Sequence, residues 1–402
     1  MKEALVKISQ RAKNLVPSAT LVISSKARQM RAEGIDVIGF AAGEPDFDTP
    51  DHIKEAAVQA IREGFTKYTA SGGINELKDA VVTKLKRDNG LAYARNQVLI
   101  SCGGKHSLYN VFQALLDPGD EVIIPAPYWV SFPEQVKLCD ATPVFAATTE
   151  EDGFRLHRGS VESLVTPRTR ILVLNSPSNP TGAALTRKEL EGLAALALER
   201  GFLILADETY ESLVYDGYQH VSIASLSDAM YARTILVNSL SKAYAMTGWR
   251  VGYTAGPKEL ISAMDGLQSQ MTSNPTSIAQ RAAVVALTGS QEPTHRMREE
   301  FARRRRFIVD RLNAMPGVTC LSPEGAFYVF PNVSGLYGKR SQGKAIVNST
   351  EFSAYLLDAA RIAVVPGVEF GNDAHIRISY ATSMANIEKG MDRMAEAVKM
   401  LG

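Results

Sequence analysis

The feature that most constrains the fold is an alternation of short apolar runs with amphipathic stretches between residues 74 and 255. Residues 97–101, 121–124 and 202–206 are examples of the apolar runs. Runs that are apolar throughout are typical of strands buried on both faces, and amphipathic stretches between them are typical of covering helices. We therefore predict an α/β fold in which helices cover both faces of a mostly parallel central sheet.

The alternation ends near residue 257, and this change predicts a second, smaller α/β domain. Helices dominate residues 258–315, and short strands mixed with helices follow to the carboxyl end. We divide the chain into an N-terminal arm with part of the small domain (1–46), a large domain (47–290) and the rest of the small domain (291–402). The basic run at 303–306 is interpreted as a solvated helix face or a salt-bridge ladder.

Composition narrows the classes of partner. Lys and Arg number 44 and Asp and Glu 43, so there is no basic excess for nucleic acid, and a small-molecule partner is favoured. No apolar run is long enough to span a membrane, and the N-terminal residues lack the pattern of a secretory signal. The three cysteines (Cys102, Cys139 and Cys320) are too scattered for a disulfide framework or a zinc site, which favours a reducing cytoplasm and no metal.

The stretch at 238–253 carries the most chemistry. It follows the apolar run 234–237, so Lys242 is predicted just beyond the carboxyl end of a strand, where open α/β sheets bind ligands. Ser239 and Ser241 precede the lysine, and Arg250 follows it. A nucleophilic amine beside hydroxyls and a fixed cation suggests a site that forms an imine while holding a phosphate. For this stretch alone, a surface loop rich in serine and lysine is an equal alternative.

A glycine pair at 103–104, followed by Lys105, ends one predicted strand and opens a helix. Glycines at that place let backbone N–H groups approach an anion such as phosphate at the helix N-terminus. An ordinary tight turn is the alternative. The spacings of a Walker loop and of a G-x-G-x-x-G fingerprint are both absent from the chain.

Asp207 follows the apolar run 202–206, and Tyr210 lies three residues further on. A carboxylate at such a strand end is partly desolvated and stays ionised only beside a cation, for example a protonated pyridine nitrogen. The Tyr210 phenol could donate to an oxyanion. A helix N-cap is the alternative role for Asp207.

Three further side chains extend the candidate site. Asn179 lies in a proline-rich loop that restricts its backbone, although Asn-Pro is also a common turn. Trp129 could stack on a planar ring or simply belong to the core. Arg377 alternates with isoleucines in a strand-like segment, where it could bind a carboxylate in bidentate fashion or form a structural salt bridge.

Taken together, these motifs resemble the class I aminotransferases that use pyridoxal 5′-phosphate and have fold type I. The resemblance runs from about residue 5 to 400 and is closest to the bacterial aspartate aminotransferases of the Ib subgroup, some of which accept prephenate. The matching motifs are Lys242 in Ser-Leu-Ser-Lys-Ala-Tyr, Asp207 in Ala-Asp-Glu-Thr-Tyr, Asn179 in Asn-Pro-Thr-Gly, Arg377 in Arg-Ile-Ser-Tyr-Ala, Gly43 in Gly-Glu-Pro-Asp, and Ser18 and Thr20 in Pro-Ser-Ala-Thr.

The resemblance implies roles for these residues. Lys242 would form the internal aldimine and move the proton between Cα and C4′, and Asp207 would keep the pyridine nitrogen protonated. Tyr210 and Asn179 would hold the ring oxygen, and Trp129 would stack on the ring. The phosphate would be bound by Gly104, Lys105, Ser239, Ser241, Arg250 and Tyr68 of a second subunit.

The resemblance also implies substrates and an assembly. The α-carboxylate would be bound by Arg377, Asn179 and the backbone of Gly43, and the distal carboxylate by Lys105, Ser18 and Thr20. The reaction would move the amino group of L-aspartate, or of another acidic amino acid, to 2-oxoglutarate, and prephenate is a further candidate acceptor. The site would be shared between the subunits of a homodimer. An aromatic, alanine or kynurenine aminotransferase, or a lyase with the same cofactor, remains the alternative within the fold.

Two other classes of protein fit the sequence less well. Ser239 and Lys242 match the S-x-x-K motif of serine acyl-enzymes, but the S-D-N and K-T-G motifs of those enzymes are absent. A regulatory module that keeps the cofactor without turnover would be expected to carry an appended DNA-binding segment or a basic face, and the sequence has neither.

Overall fold

The computed structural model describes residues 6–402 and contains the alternating strands and helices that the sequence predicts. No helix in that range combines the length and apolar character needed to cross a membrane. The helices are α1 (Gln10–Lys13), α2 (Ala19–Ala32), α3 (Asp51–Arg62), α4 (Asn75–Asn89), α5 (Gly104–Leu115), α6 (Ser131–Lys137), α7 (Arg158–Glu162), α8 (Arg187–Arg200), α9 (Asp228–Arg233), α10 (Leu240–Ala243), α11 (Lys258–Met271), α12 (Ser277–Thr288), α13 (Glu292–Asn313), α14 (Ser349–Ala360) and α15 (Met384–Lys399). The strands are β1 (Ile38–Gly39), β2 (Val98–Ser101), β3 (Glu121–Ala126), β4 (Thr142–Ala147), β5 (Thr169–Asn175), β6 (Leu203–Asp207), β7 (Thr234–Ser239), β8 (Gly252–Ala255), β9 (Tyr328–Val329), β10 (Arg340–Ser341), β11 (Lys344–Ala345), β12 (Ile362–Ala363), β13 (Val365–Pro366) and β14 (Ile376–Ser379).

A seven-stranded sheet forms the centre of the molecule, with strand order β2-β8-β7-β6-β5-β3-β4. Every strand in it runs parallel to the others except β8, which is antiparallel to both of its neighbours. The predicted mostly parallel α/β sheet is therefore confirmed. Because β5, β6 and β7 are parallel neighbours, their carboxyl ends meet at one edge of the sheet, where a ligand can be reached from several strands at once.

Both faces of the sheet are covered, which explains why its strands are apolar throughout. In β5, Ile171 and Val173 pack with residues of α5, α6 and α11, whereas Leu172 and Leu174 pack with residues of α8. Successive side chains of a strand point to opposite faces, so each face acquires its own core. Each such fully buried side chain contributes about 1.5–3 kcal/mol to folding.

A second core lies around a three-stranded antiparallel sheet of order β13-β14-β9, against which α13, α14 and α15 pack. The early part of the chain joins this core, since Ile38 and Phe40 belong to it and β1 pairs in parallel with β12. Residues from both ends of the chain therefore share one core. The domain limits at 46/47 and 290/291 stay predictions.

The structure adds local detail to the predicted arm and to the basic run. A short helix, α1, lies in the predicted arm, and β1 spans only two residues. In the basic run, all four arginines pair with carboxylates, which confirms the salt-bridge ladder. The solvated helix face is wrong for Arg304 and Arg305, which are buried, whereas Arg303 is exposed. Four consecutive residues span more than one turn of 3.6 residues, so a run of that length cannot keep every side chain on the solvated face of a helix that packs on a core.

Candidate active site

A cleft of about 320 Å³ lies at the carboxyl edge of the central sheet and is also lined by residues of β14 and α2. Every predicted site residue except Tyr68 lines it. These residues are Ser18, Thr20, Gly43, Gly104, Lys105, Trp129, Asn179, Asp207, Tyr210, Ser239, Ser241, Lys242, Arg250 and Arg377. A larger groove of about 540 Å³ is lined by residues of 47–54 and 293–297 and holds none of the predicted site residues.

Lys242 lies in the single-turn helix α10, directly after β7, and its side chain reaches the bottom of the cleft. Its Nζ donates a hydrogen bond to the carbonyl oxygen of Gly43. Burial, together with the positive charges of Arg250 and Arg377, lowers the pKa of Lys242 to about 8 against the opposing effects of Glu44 and Asp207. A considerable fraction of the amine is therefore neutral near pH 8 and able to act as a nucleophile or a base.

Asp207 is the last residue of β6, and its carboxylate is buried at the same edge. Burial raises the pKa of Asp207 to about 6, although the Thr209 N–H donates to its Oδ1 at 3.2 Å. No Lys, Arg or His nitrogen among residues 6–402 lies within 4.0 Å of the carboxylate. The residues that follow form turns rather than a helix, so the N-cap alternative is wrong. A buried carboxylate without a cation fits a ligand that brings one, such as a protonated pyridine nitrogen.

The part of the cleft near Gly103 and Arg250 contains groups that can bind an anion. Gly103 has φ of +90° and precedes α5, and a Cβ there would lie 2.4 Å from Arg250 Nη2, so only glycine fits. Arg250 donates to the carbonyl oxygen of Thr247 at 2.8 Å, which fixes its guanidinium. The hydroxyl-bearing residues Ser239 and Ser241 are buried beside it. Helix-terminal N–H groups, hydroxyls and a guanidinium together fit a phosphate.

Arg377 in β14 forms a second anion site. It is fully buried, and its guanidinium donates to Asn179 Oδ1 at 2.9 Å and to the carbonyl oxygen of Ala41 at 2.7 Å. Its Nε has no hydrogen-bond partner, and no carboxylate among residues 6–402 lies within 4.0 Å of it. Burial lowers the pKa of Arg377. The structural salt bridge considered for this residue is therefore absent from the described chain, and its charge is available to a ligand carboxylate.

The remaining side chains line the walls between these two ends. Because Asn179 Oδ1 accepts from Arg377, its amide nitrogen is left to face a ligand. Lys105 Nζ lies 5.0 Å from the centre of the Trp129 ring. Burial, followed by the charge of Arg250, lowers the pKa of Lys105. Ser18 precedes α2 and lies on the same wall.

Comparison with known proteins places this geometry in a family. The family described as aminotransferase class I and II matches residues 35–394. The chain belongs to this family. An aspartate aminotransferase of Geobacillus stearothermophilus is 49% identical over 97% of this chain and 98% of its own. An aspartate/prephenate aminotransferase of Cereibacter sphaeroides is 53% identical over 91% of this chain and 92% of its own. The crystal structure of the aspartate aminotransferase from Rhizobium meliloti superposes with a TM-score of 0.96 at 47% identity, covering 99% of this chain and 100% of that one.

The cleft of this aminotransferase also contains residues that the sequence analysis missed. Tyr328 Oη lies 2.9 Å from Tyr210 Oη, its ring centre lies 4.6 Å from the Arg377 guanidinium, and a Cβ on Gly43 would approach its Oη to 2.8 Å. Nothing in the sequence near Tyr328 indicates this position. Asn175, by contrast, could have been found, because it ends the apolar strand β5 just as Asp207 ends β6. The other missed residues are Leu21, Leu108 and Thr209.

One predicted site residue and one group that was not predicted lie outside the cleft. Tyr68 is 90% exposed and belongs to no wall of the site in a single chain. Within residues 6–402, Glu208, Glu211 and His220 have their potential metal-ligand atoms within 4.8 Å of one another, a group that the sequence analysis did not select. This group lies behind Asp207 rather than in the cleft of the aminotransferase.

Proposed function

We propose that this aminotransferase moves the amino group of L-aspartate to 2-oxoglutarate, giving oxaloacetate and L-glutamate, with pyridoxal 5′-phosphate as its cofactor. The observation that carries the proposal is one cleft that holds a half-buried amine with a pKa of about 8, a buried carboxylate without a cation and a buried arginine without an acid. The relatives named as aspartate aminotransferases support the choice of aspartate.

The residues at the two ends of the cleft fit the cofactor. The backbone N–H groups of Gly104 and Lys105, with Ser239, Ser241 and Arg250, would hold its phosphate, and Asp207 would hold its ring nitrogen in the protonated form. The Trp129 indole would stack on the ring. When bound, pyridoxal phosphate supplies an aldehyde that joins to an amine and a protonated ring that accepts electron density.

Lys242 carries out the proton transfer. Its Nζ, already partly neutral near pH 8 because burial lowers its pKa, would take the proton from the substrate Cα and deliver it to C4′ of the cofactor. The Asn179 amide nitrogen and the Tyr210 hydroxyl would donate to the ring oxygen of the cofactor. Tyr328 holds the Tyr210 hydroxyl in place at 2.9 Å.

The substrate would be held at both carboxylates. Arg377, with Asn179 and the backbone of Gly43, would bind the α-carboxylate, because its charge has no acidic partner in the described chain. Lys105, with Ser18 and Thr20, also lines the cleft and would bind the distal carboxylate. Two cationic groups set apart in one cleft favour a dicarboxylic substrate over a monocarboxylic one.

We further propose a homodimer in which Tyr68 of one chain completes the phosphate site of the other. Its 90% exposure in the single chain supports this role, because a large aromatic side chain exposed to that degree is available to an interface. We also propose that residues 47–290 form the cofactor-binding domain. Three unpaired cysteine thiols are consistent with our prediction of a reducing cytoplasm.

Two measurements test the proposal. The protein purified with pyridoxal phosphate should absorb in the near-ultraviolet or visible range, and borohydride should bleach this band by fixing the cofactor on Lys242. Rates of amino transfer to 2-oxoglutarate should be highest with aspartate among aspartate, glutamate, alanine and phenylalanine. A colourless protein would contradict the cofactor, and aspartate among the slow donors would contradict the substrate.

Prephenate is a second candidate acceptor, favoured by the relative named for both activities. The same assay with prephenate in place of 2-oxoglutarate, and with glutamate or aspartate as donor, tests this candidate. The absence of amino transfer to prephenate would contradict it.

A further inference from the structure

A buried hydrogen-bond network behind the cleft has no part in the chemistry described above. At its centre is Glu211, whose side chain is only 9% exposed. Its Oε1 accepts hydrogen bonds from the ammonium of Lys84 and from Asn238 Nδ2, and its Oε2 accepts from Asn89 Nδ2 at 2.7 Å. The Lys84 side chain is 5% exposed, and Lys84 also donates to Asn89 Oδ1 at 2.8 Å. Every oxygen of this carboxylate therefore has a fixed donor.

The network joins two segments that are far apart in sequence and that both contribute to the cofactor site. Glu211 follows Tyr210 directly and lies one short turn beyond Asp207. Asn238 precedes Ser239 directly, and its Oδ1 accepts a hydrogen bond from the Ser239 N–H at 2.7 Å. The Glu211 side chain thus connects the segment that contains Asp207 with the segment that contains Ser239, Ser241 and Lys242.

The anchor for this connection is helix α4, which supplies both Lys84 and Asn89. Neither residue lines the cleft. Glu208 and His220 lie beside this network: Glu208 Oε2 is 3.3 Å from His220 Nε2, and the potential ligand atoms of Glu208, Glu211 and His220 lie within 4.8 Å of one another. The charge of Glu211 is offset by the Lys84 ammonium, which contacts its Oε1.

We infer that Lys84, Glu211 and Asn238 are positioning residues that set the distance between the ring-nitrogen end and the phosphate end of the cofactor site. This inference rests on the proposed use of pyridoxal phosphate. A buried carboxylate with fixed donors on both oxygens is rigid, because each donor loses its partner if the group moves. Such a group holds both segments before the cofactor arrives, which lowers the ordering cost of binding.

The test measures the cofactor rather than the reaction. Apoprotein of the wild type, Glu211→Gln and Asn238→Ala is titrated with pyridoxal phosphate to obtain dissociation constants, and the pH midpoint of the bound cofactor's absorbance is recorded. Folding of each apoprotein is followed by circular dichroism. Asp79→Asn is the matched control, because Asp79 also lies on α4 and pairs with Arg95, at 2.6 Å, but both side chains are about half exposed.

We expect Glu211→Gln and Asn238→Ala to weaken cofactor binding by about tenfold or more and to shift the pH midpoint, while Asp79→Asn changes neither. If Glu211→Gln does not fold, Asn238→Ala decides the question, since it breaks the connection and leaves the buried ion pair intact. A purely structural role would lower the melting temperature of both variants and leave the dissociation constant and the midpoint unchanged, which overturns the inference.

The same titration separates the two proposals. A wild-type protein that binds no pyridoxal phosphate contradicts the proposed function, and the inference with it. A wild-type protein that binds it, together with folded variants that bind it equally well, contradicts the inference alone.

Discussion

Two buried arginines in this chain make similar contacts with aromatic rings and differ in one respect. Arg304 of α13 lies over Phe47 and Phe301, and Arg377 of β14 lies over Tyr328 and Phe370. Arg304 is paired with two carboxylates, those of Asp46 at 2.7 Å and Glu300 at 2.8 Å. Arg377 has only the neutral oxygens of an amide and a carbonyl as partners.

The difference separates a charge that carboxylates of the chain neutralise from a charge that is left for a ligand. A buried cation is costly unless an acid offsets the loss of hydration, so Arg304 fits a role in holding α13 to the loop at Asp46. An arginine that is buried without an acid is unfavourably desolvated in the free protein. The binding of an anion offsets this desolvation energy. Lys105, Lys242 and Arg250, which share the cleft with Arg377, likewise lack a carboxylate within 4.0 Å among residues 6–402. Apart from the Asp207 carboxylate, the charged side chains named in the cleft are therefore cationic and free to pair with the acidic groups of ligands.

The strongest test of the comparison removes the amine. Lys242→Ala should lower the rate of amino transfer by about 10⁴-fold or more. In the proposed function, both the covalent attachment of pyridoxal phosphate and the proton transfer depend on Nζ. Single-turnover kinetics with aspartate measure this loss. The variant should fold normally, as judged by circular dichroism. Near-wild-type turnover would show that another group moves the proton.

Replacing each of the two arginines by leucine separates an effect on substrate binding from an effect on stability. Arg377→Leu should lower kcat/KM for aspartate by about 10²-fold or more, chiefly through KM, because a bidentate, desolvated contact with the α-carboxylate is lost. Arg304→Leu should leave KM close to that of the wild type and lower the free energy of unfolding by about 1–2 kcal/mol, because Asp46 loses its cationic partner and Glu300 keeps only Arg303. Steady-state kinetics and urea unfolding measure these effects. If Arg304→Leu raised KM as much as Arg377→Leu, the distinction between the two arginines would be wrong.

A smaller effect is expected from the replacement of Lys105. Lys105→Met should lower kcat/KM for aspartate by about tenfold relative to that for alanine, because only aspartate brings a second carboxylate. Lys54→Met is a matched control, since Lys54 is paired with Asp48 at 2.6 Å outside the cleft. The ratio of the two specificity constants is the measurement. An equal loss with both substrates would assign Lys105 to the phosphate instead of the side chain.

The last prediction concerns the stability of the apoprotein. Burial holds the pKa of Lys242 near 8, below its ordinary value of 10.5, so between these pH values the unfolded chain binds more protons than the folded one. The unfavourable contribution of Lys242 is fully present below pH 8 and fades as the pH rises towards 10.5. Lys242→Met should therefore be more stable than the wild type at pH 7.5, by about 2 kcal/mol, and this advantage should shrink at pH 10. Urea unfolding at both pH values measures the difference. An advantage that does not change with pH would show that Lys242 is not desolvated.

The local pattern of the sequence was sufficient for the central sheet and for much of the site. Apolar runs identify strands, and chemical groups that directly follow a run, such as Asp207 after β6 and Lys242 after β7, must lie near the carboxyl edge. Gly103 could be interpreted in the same way, because a strand that leads into a helix needs a residue able to turn there. These positions depend on neighbours only a few residues away, and a local pattern records such neighbours.

Tertiary structure alone decided which charges are paired. The burial of Arg304, the contact of Tyr328 with Tyr210 and the connection of Lys84 through Glu211 to Asn238 each join segments more than 25 residues apart or depend on which face of a helix meets a core. An arginine in the sequence has the same composition and charge whether it will meet Asp46 or a ligand. The sequence by itself determined where the groups of this aminotransferase enter the sheet edge, and the long-range packing decided which of them remain without a partner, because desolvation and pairing depend on every segment that closes around a side chain.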